Sequence, residues 1–173
     1  MNTANKLTML RVLMIPVFLL LLYFGYDYLA LAVFILASVT DFLDGYIARK
    51  YNQITDFGKF MDPLADKVLV ISAMVWFVEV GLMPGWALLL VVARELAVTG
   101  LRLVAVDTGR VISAGWSGKV KTAATMVAVC LMLLPIPAIL NTLCVAVIVV
   151  TTLYSGAEYF VVNRDVFKRS EGK

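Results

Sequence analysis

The chain has 173 residues, of which 62% are hydrophobic and 16% are charged, and its formal net charge at pH 7 is +3. Soluble domains carry about 25% charged residues, so this composition excludes a water-soluble fold and a nucleic-acid-binding domain. A transmembrane helix needs about 20 apolar residues, and a chain of this length therefore provides for about six spans with short connections.

Six apolar segments follow one another along the chain and predict an all-α, polytopic membrane protein in which residues 1–173 form one domain. Three breaks contain the glycine and proline residues typical of turns: Gly25-Tyr26-Asp27, Gly81 to Gly85, and Pro135-Ile136-Pro137. Two longer polar connections lie around residues 50–59 and 107–118. The predicted spans are Arg11–Phe24, Tyr28–Arg49, Phe60–Val80, Gly85–Val106, Lys119–Leu134 and Ala138–Phe160.

Lysine and arginine residues concentrate at one end of the predicted spans. The three turns at the other end contain no basic residue, and only Asp27 and Glu79 lie in or near them. The positive-inside rule therefore places both termini and both long connections in the cytoplasm. Arg94 is the exception, because it lies about ten residues into the fourth span, near the bilayer centre. The other basic residues are Lys6, Arg11, Arg49, Lys50, Lys59, Lys67, Arg102, Arg110, Lys119, Lys121, Arg164, Lys168, Arg169 and Lys173.

Four aspartates lie at the cytoplasmic ends of the second and third predicted spans. Asp41 and Asp44 are three residues apart, and Asp62 and Asp66 are four apart. Each spacing puts the pair on one face of a helix. The short connection makes the two spans antiparallel neighbours, so the four carboxylates are expected at one depth. Ionised residues inside a span are costly, which makes these aspartates candidates for function.

The residue types around the aspartates predict a metal and phosphate site. Four carboxylates in a medium of low dielectric repel one another unless cations compensate their charge. Oxygen ligands in a chain without histidine favour two divalent ions such as Mg²⁺ or Mn²⁺ over zinc. Gly45, Ala48 and Gly58 leave space beside the carboxylates, and Arg49 is suited to a phosphate or diphosphate.

Two other interpretations of the aspartates remain open. The carboxylates could pair with basic residues such as Arg49 and Arg94 as structural salt bridges. They could also form the ion pathway of a transporter. The second interpretation lacks a chain of further carboxylates that would continue towards the outer side.

At these positions the chain resembles the CDP-alcohol phosphotransferase family, whose signature is D-x2-D-G-x2-A-R-x8-G-x3-D-x3-D. The segment from Asn5 to Arg11 is also similar to the entry segment of the family, although Ala4 stands where a proline is common. This segment predicts a short N-terminal interfacial helix, with Thr8 near the CDP-lipid. All eight fixed residues of the signature are present at the correct spacing: Asp41, Asp44, Gly45, Ala48, Arg49, Gly58, Asp62 and Asp66.

The resemblance implies an enzyme of phospholipid biosynthesis in the bacterial cytoplasmic membrane, with its active site facing the cytoplasm. In the reaction of the family, a phosphoalcohol hydroxyl attacks the β-phosphorus of a CDP-linked lipid and CMP leaves. The resemblance further implies that Asp66 is the general base and that a homodimer forms. Two metal ions would be held by Asp41, Asp44, Asp62 and Asp66, and the CDP-lipid would contact Thr8, Gly45, Ala48, Arg49 and Gly58.

Basic residues on the fourth and fifth predicted spans suggest an acceptor that carries a phosphate. Arg94 and Arg102 are eight residues apart and lie on nearly the same helical face, while Lys119 and Lys121 begin the next span. Four cations facing the carboxylates would bind a dianionic phosphate, which serine and choline lack. The simpler explanation is that these side chains extend to the membrane surface, and it fits the deeply placed Arg94 least well.

Three strings narrow the expected acceptor further. Residues 55–67, Ala93-Arg94-Glu95 and residues 118–122 resemble those family members that use CDP-diacylglycerol and sn-glycerol 3-phosphate. This similarity implies that the products are phosphatidylglycerophosphate and CMP. A transferase of the same family that uses inositol phosphate or serine is the alternative.

Overall fold

The computed structural model describes the backbone of residues 3–50, 56–107 and 115–164, and the side chains of residues 9–40, 64–65, 67–106 and 115–164. The described residues form six α-helices and contain no strand, which confirms the all-α prediction. The helices are α1 Thr3–Tyr23, α2 Asp27–Lys50, α3 Asp56–Glu79, α4 Gly85–Asp107, α5 Trp116–Met132 and α6 Ala138–Val162.

The predicted turns are found where glycine and proline were expected to end the helices. Gly25 and Gly81 have φ values of 76° and 74°, a left-handed conformation that glycine adopts without a steric penalty. At the first turn, Gly25 N–H donates to Leu22 O and Tyr26 N–H donates to Leu21 O. Gly81 and the residue after it repeat the same pair of bonds at the end of α3. Both helices therefore end in a Schellman motif.

The N-terminal segment that was predicted to form a short interfacial helix is helical, but it is not a helix of its own. One continuous helix, α1, begins at Thr3 and runs through Pro16 to Tyr23. The segment between Ala4 and Arg11 contains neither glycine nor proline, so nothing in it ends a helix. The predicted interfacial segment and the first predicted span are thus parts of the same helix.

Two compact units make up the chain, and the first contains residues 1–82 and 129–136. In this unit α1 packs against both α2 and α3, and α2 also contacts α3. Phe18 of α1 and Phe34 of α2 are fully buried, with their ring centroids 5.7 Å apart. Leu69 and Phe77 contribute fully buried side chains from α3. The first unit therefore holds together the three helices that carry the N-terminal segment and the four aspartates.

The second unit contains residues 83–128 and 137–173. Its α4 packs against α6, with Val98, Leu101 and Ala105 of α4 buried in one cluster with Tyr159 of α6. Phe160 packs against the same cluster. This unit therefore holds the four basic residues that were predicted to bind the acceptor.

Among the described residues, α6 is long and apolar enough to cross a membrane, with a mean hydropathy of 2.0. Two further apolar stretches are shorter, Met9–Tyr23 and Asp27–Thr40. Of the other helices, α5 has 17 residues and α4 contains Arg94 and Glu95 in its middle. Large apolar side chains such as Leu89 and Leu143 are more than half exposed, a surface typical of proteins that face lipid. Six spans therefore remain a prediction.

Candidate active site

The four aspartates lie on two helices that contact each other. Asp41 and Asp44 are in the last turns of α2, and Asp62 and Asp66 are in the first turns of α3, as their spacing predicts. Gly45, Ala48 and Arg49 are also in α2, Gly58 is in α3 and Thr8 is in α1. The side chains at all these positions lie outside the described residues. Their roles in binding metal and CDP-lipid therefore stay predictions.

The chemistry of these four residues fits hard divalent cations. Carboxylate oxygens are the ligands that Mg²⁺ and Mn²⁺ prefer. Two such residues lie on each of two helices that contact each other, and the two on one helix are about one turn apart. Asp41, Asp44, Asp62 and Asp66 are accordingly the residues that would hold such ions.

Arg11 is a residue whose environment was not predicted from the sequence. It lies in α1, the helix that contacts both aspartate-bearing helices, and its side chain is completely buried. The sequence predicts only its place along the chain, at the end of the N-terminal segment and on the cytoplasmic side. Charged residues are rarely buried unless they are paired. The feature of the sequence that could have indicated a buried Arg11 is a cation at the start of an apolar helix. Arg11 thus belongs to the interior of the first unit.

Arg94 and Lys121 meet at one carboxylate oxygen in the second unit. Arg94 Nη1 donates to Glu95 Oε1 at 2.9 Å, and Lys121 Nζ donates to the same oxygen at 2.7 Å. The exposed fractions of the three side chains are small, at 13% for Arg94, 16% for Glu95 and 8% for Lys121. The predicted acceptor residues Arg94 and Lys121 are therefore brought together, by a glutamate between them. Arg94 and Lys121 thus form a cation pair at Glu95.

Small residues on the neighbouring helices border the side chain of Arg94. A Cβ atom at Gly156 of α6 would lie 3.2 Å from Arg94 Cγ, and one at Gly118 of α5 would lie 3.8 Å from Arg94 Nη2. Arg94 Nε is buried and has no hydrogen-bond partner among the described residues. A buried donor of this kind normally has a partner. The guanidinium is thus held close to two helices, and its Nε–H remains without a partner in the part of the chain that the structure describes.

We expect Gly156→Val to lower the melting temperature of the purified protein in detergent, because the added methyl groups would collide with Arg94 Cγ. Overpacking of this kind costs about 1–3 kcal/mol. Gly100→Val in α4 is the matched control, since a Cβ atom there meets nothing within 4 Å. Equal melting temperatures of the two variants would contradict the close contact. In an Arg94→Ala background the difference between them should shrink.

The other two predicted acceptor residues have different surroundings. Arg102 Nε donates to the hydroxyl of Tyr159 at 2.9 Å, and its guanidinium carbon lies 5.5 Å from the centre of that ring. Lys119 is exposed at the start of α5. Arg102 is about 12 Å further along α4 than Arg94. The described contacts therefore group Arg94 with Lys121 and fix Arg102 separately on Tyr159, while a common pocket for all four cations stays a prediction.

A groove of about 360 Å³ lies between the start of α5 and the second half of α6. Its charged residue is Glu158, so its chemistry does not suit a phosphate. It is distinct from the cation pair, which does not contribute to its lining. The lining residues are Trp116, Ser117, Val120, Val150, Thr151, Tyr154 and Glu158.

Comparison with known proteins gives a family match over most of the chain. Residues 1–154 match the family model described as CDP-alcohol phosphatidyltransferase. A CDP-diacylglycerol--glycerol-3-phosphate 3-phosphatidyltransferase of Bacillus subtilis is 41% identical, over 98% of this chain and 98% of that protein. Proteins with the same name from Pseudomonas fluorescens and Escherichia coli are each 42% identical, over 80% and 73% of this chain and 75% and 74% of their own lengths.

Proposed function

The chain belongs to the CDP-alcohol phosphatidyltransferase family, and from this membership we propose that it is a CDP-diacylglycerol:glycerol-3-phosphate 3-phosphatidyltransferase. It transfers a phosphatidyl group from CDP-diacylglycerol to sn-glycerol 3-phosphate and releases CMP. The donor and the acceptor are those in the names of the relatives from Bacillus subtilis and Escherichia coli. The products are phosphatidylglycerophosphate and CMP.

The observation that carries this proposal is the complete family signature on two contacting helices. Its eight fixed residues occur between positions 41 and 66, and they are divided between α2 and α3. A transferase that breaks a diphosphate needs negative ligands for metal ions and small residues beside them, and the signature supplies both. A salt-bridge network would not require that combination of residues.

The reaction is a displacement at phosphorus. A free hydroxyl of glycerol 3-phosphate attacks the β-phosphorus of CDP-diacylglycerol, and a new P–O bond forms. The bond between that phosphorus and the oxygen that bridges to CMP breaks, and CMP leaves with the electron pair. Asp66 accepts the proton of the attacking hydroxyl, the role of a general base.

The signature residues hold the metal ions and, together with Thr8, bind the donor. Asp41, Asp44 and Asp62, together with Asp66, hold two divalent cations. When bound, Mg²⁺ or Mn²⁺ at these residues would neutralise diphosphate oxygens and stabilise the charge on the departing CMP. Contacts of the donor with this chain come from Thr8, Gly45, Ala48, Arg49 and Gly58.

The acceptor phosphate is bound by basic residues of the second unit. Arg94 and Lys121 form its centre, because both are largely buried and both are held at Glu95. Arg102 and Lys119 add positive charge. A dianionic phosphate is the ligand that such a group favours, since charge-assisted hydrogen bonds are the strongest that side chains make. Glycerol 3-phosphate carries this group and serine does not.

The protein crosses a bacterial cytoplasmic membrane six times, with both termini and the active site in the cytoplasm, and it forms a homodimer. The topology is supported by the concentration of basic residues at one end of the predicted spans and by the length and apolar composition of α6. The homodimer is inferred only from the resemblance to the family, whose members are commonly homodimers. The acyl chains of the donor remain in the bilayer while the acceptor enters from the cytoplasm.

Transfer of label from glycerol 3-phosphate into lipid tests the proposed reaction. Purified protein in detergent is incubated with CDP-diacylglycerol, Mg²⁺ and radiolabelled sn-glycerol 3-phosphate, and the organic phase is counted. We expect one labelled lipid for each CMP released. CMP release without labelled lipid would overturn the assignment of the acceptor, and the absence of both would favour the transporter or the structural interpretation of the aspartates.

A further inference from the structure

Glu95 joins two buried cations through a single atom. The bonds from Arg94 Nη1 and Lys121 Nζ end on the same oxygen, Oε1, at 2.9 and 2.7 Å. The distance between the two nitrogen atoms therefore cannot exceed the sum of these bond lengths. Two positive charges so close together in a largely buried site would repel each other without the carboxylate. Glu95 thus keeps the cation pair together.

The position of the guanidinium is fixed from a second direction. Gly156 and Gly118 permit the close approach of Arg94 to α6 and α5, with Cβ distances of 3.2 and 3.8 Å. Its Nε is buried without a hydrogen-bond partner among the described residues. This free donor points to a ligand with an acceptor atom, because a buried N–H without a partner is costly. An oxygen of a bound phosphate would satisfy it.

We propose that Glu95 is a positioning residue for the acceptor. Its carboxylate does not touch the substrate but holds Arg94 and Lys121 side by side, so that both bind the phosphate of the phosphoalcohol. This inference rests on the proposed function, since it takes the cation pair as the acceptor site. By charge alone, the carboxylate of Glu95 would repel the phosphate. The proposal instead gives Glu95 a favourable effect on phosphate binding, because it holds the two cations in place.

The sign of the change in Michaelis constant tests this role. We expect Glu95→Gln to raise KM for glycerol 3-phosphate about tenfold, because the cations separate when their shared anion is lost. KM for CDP-diacylglycerol and kcat should stay within about threefold of wild type. This pattern is expected when the lost interaction is equally strong in the ground state and in the transition state. Glu158→Gln in α6, which makes the same chemical change in the same unit, is the matched control and should leave all three constants unchanged.

A lower KM for glycerol 3-phosphate in Glu95→Gln would overturn the proposal, because it would mean that the carboxylate competes with the phosphate. Equal changes in both Michaelis constants would overturn it as well. Glu95→Asp keeps the charge on a shorter side chain and should restore part of the loss. If Asp performs no better than Gln, a positioning role for the carboxylate is excluded.

Removal of Glu95 leaves two buried cations uncompensated and threatens folding, so a second background is needed. In Lys121→Met the cation pair is already broken, and Glu95→Gln should then raise KM much less than it does in the wild type. Full additivity of the two changes would contradict the proposal.

Glycerol 3-phosphate should also raise the melting temperature of the wild type more than that of Glu95→Gln. Activity of the wild type with glycerol 3-phosphate tests the proposed function alone, so the two failures are distinguishable.

Discussion

Asp66→Asn is expected to lower kcat for CMP release by about 1000-fold or more. A general base contributes about 10²–10⁴ to the rate, and asparagine has nearly the shape of aspartate but accepts no proton at neutral pH. We expect binding of CDP-diacylglycerol, measured by equilibrium binding in detergent, to be largely retained. The loss should therefore appear in kcat rather than in affinity for the donor.

Asp27→Asn is the control for this variant. Asp27 is exposed at the start of α2 and is not part of the family signature, so its amide variant should turn over at the wild-type rate. Turnover of Asp66→Asn at a rate close to wild type would eliminate Asp66 as the base. Loss of donor binding together with turnover would instead assign Asp66 to the donor site alone.

Arg94→Ala is expected to raise KM for glycerol 3-phosphate about 30-fold. A hydrogen bond to a charged group contributes about 2 kcal/mol, and each 1.4 kcal/mol changes an equilibrium constant tenfold. KM for CDP-diacylglycerol should change much less, because the donor is assigned to residues of α1, α2 and α3. Initial rates over a matrix of both substrate concentrations give the two constants separately.

Arg164→Ala removes the same charge from an exposed position after α6 and serves as the control. It should leave both Michaelis constants unchanged. Arg94→Lys should recover only part of the loss, since an ammonium group lacks the planar fork of donors. An equal increase in both Michaelis constants in Arg94→Ala would remove this residue from the acceptor site.

Local features of the fold were predictable because they depend on residues close together in the chain. Gly25 and Gly81 end their helices with positive φ, which follows from the chemistry of glycine alone. The spacing of Asp41 and Asp44, and of Asp62 and Asp66, predicted their places on two helices. The continuity of α1 was not predicted, although the segment before Arg11 contains no glycine or proline that would end a helix.

The contacts of the cations could not be predicted from local sequence. Lys121 meets Glu95 across 26 residues of chain, and Arg102 meets Tyr159 across 57, so both contacts depend on how α4, α5 and α6 pack. The spacing of eight residues predicted Arg94 and Arg102 on one helical face, whereas the described contacts group Arg94 with Lys121. Glu95 stood in the string Ala93-Arg94-Glu95, but its position between two cations is a property of the folded chain.

Release of CMP from CDP-diacylglycerol, compared among acceptors, tests the proposed reaction most directly. Purified protein in detergent is assayed with Mg²⁺ or Mn²⁺ and with glycerol 3-phosphate, serine or inositol phosphate, each with and without EDTA. We expect release with glycerol 3-phosphate alone and its complete loss in EDTA, since carboxylates without cations repel a diphosphate. Release with serine or inositol phosphate instead would contradict the assignment of the acceptor, and release that persists in EDTA would contradict the metal-binding role of the aspartates.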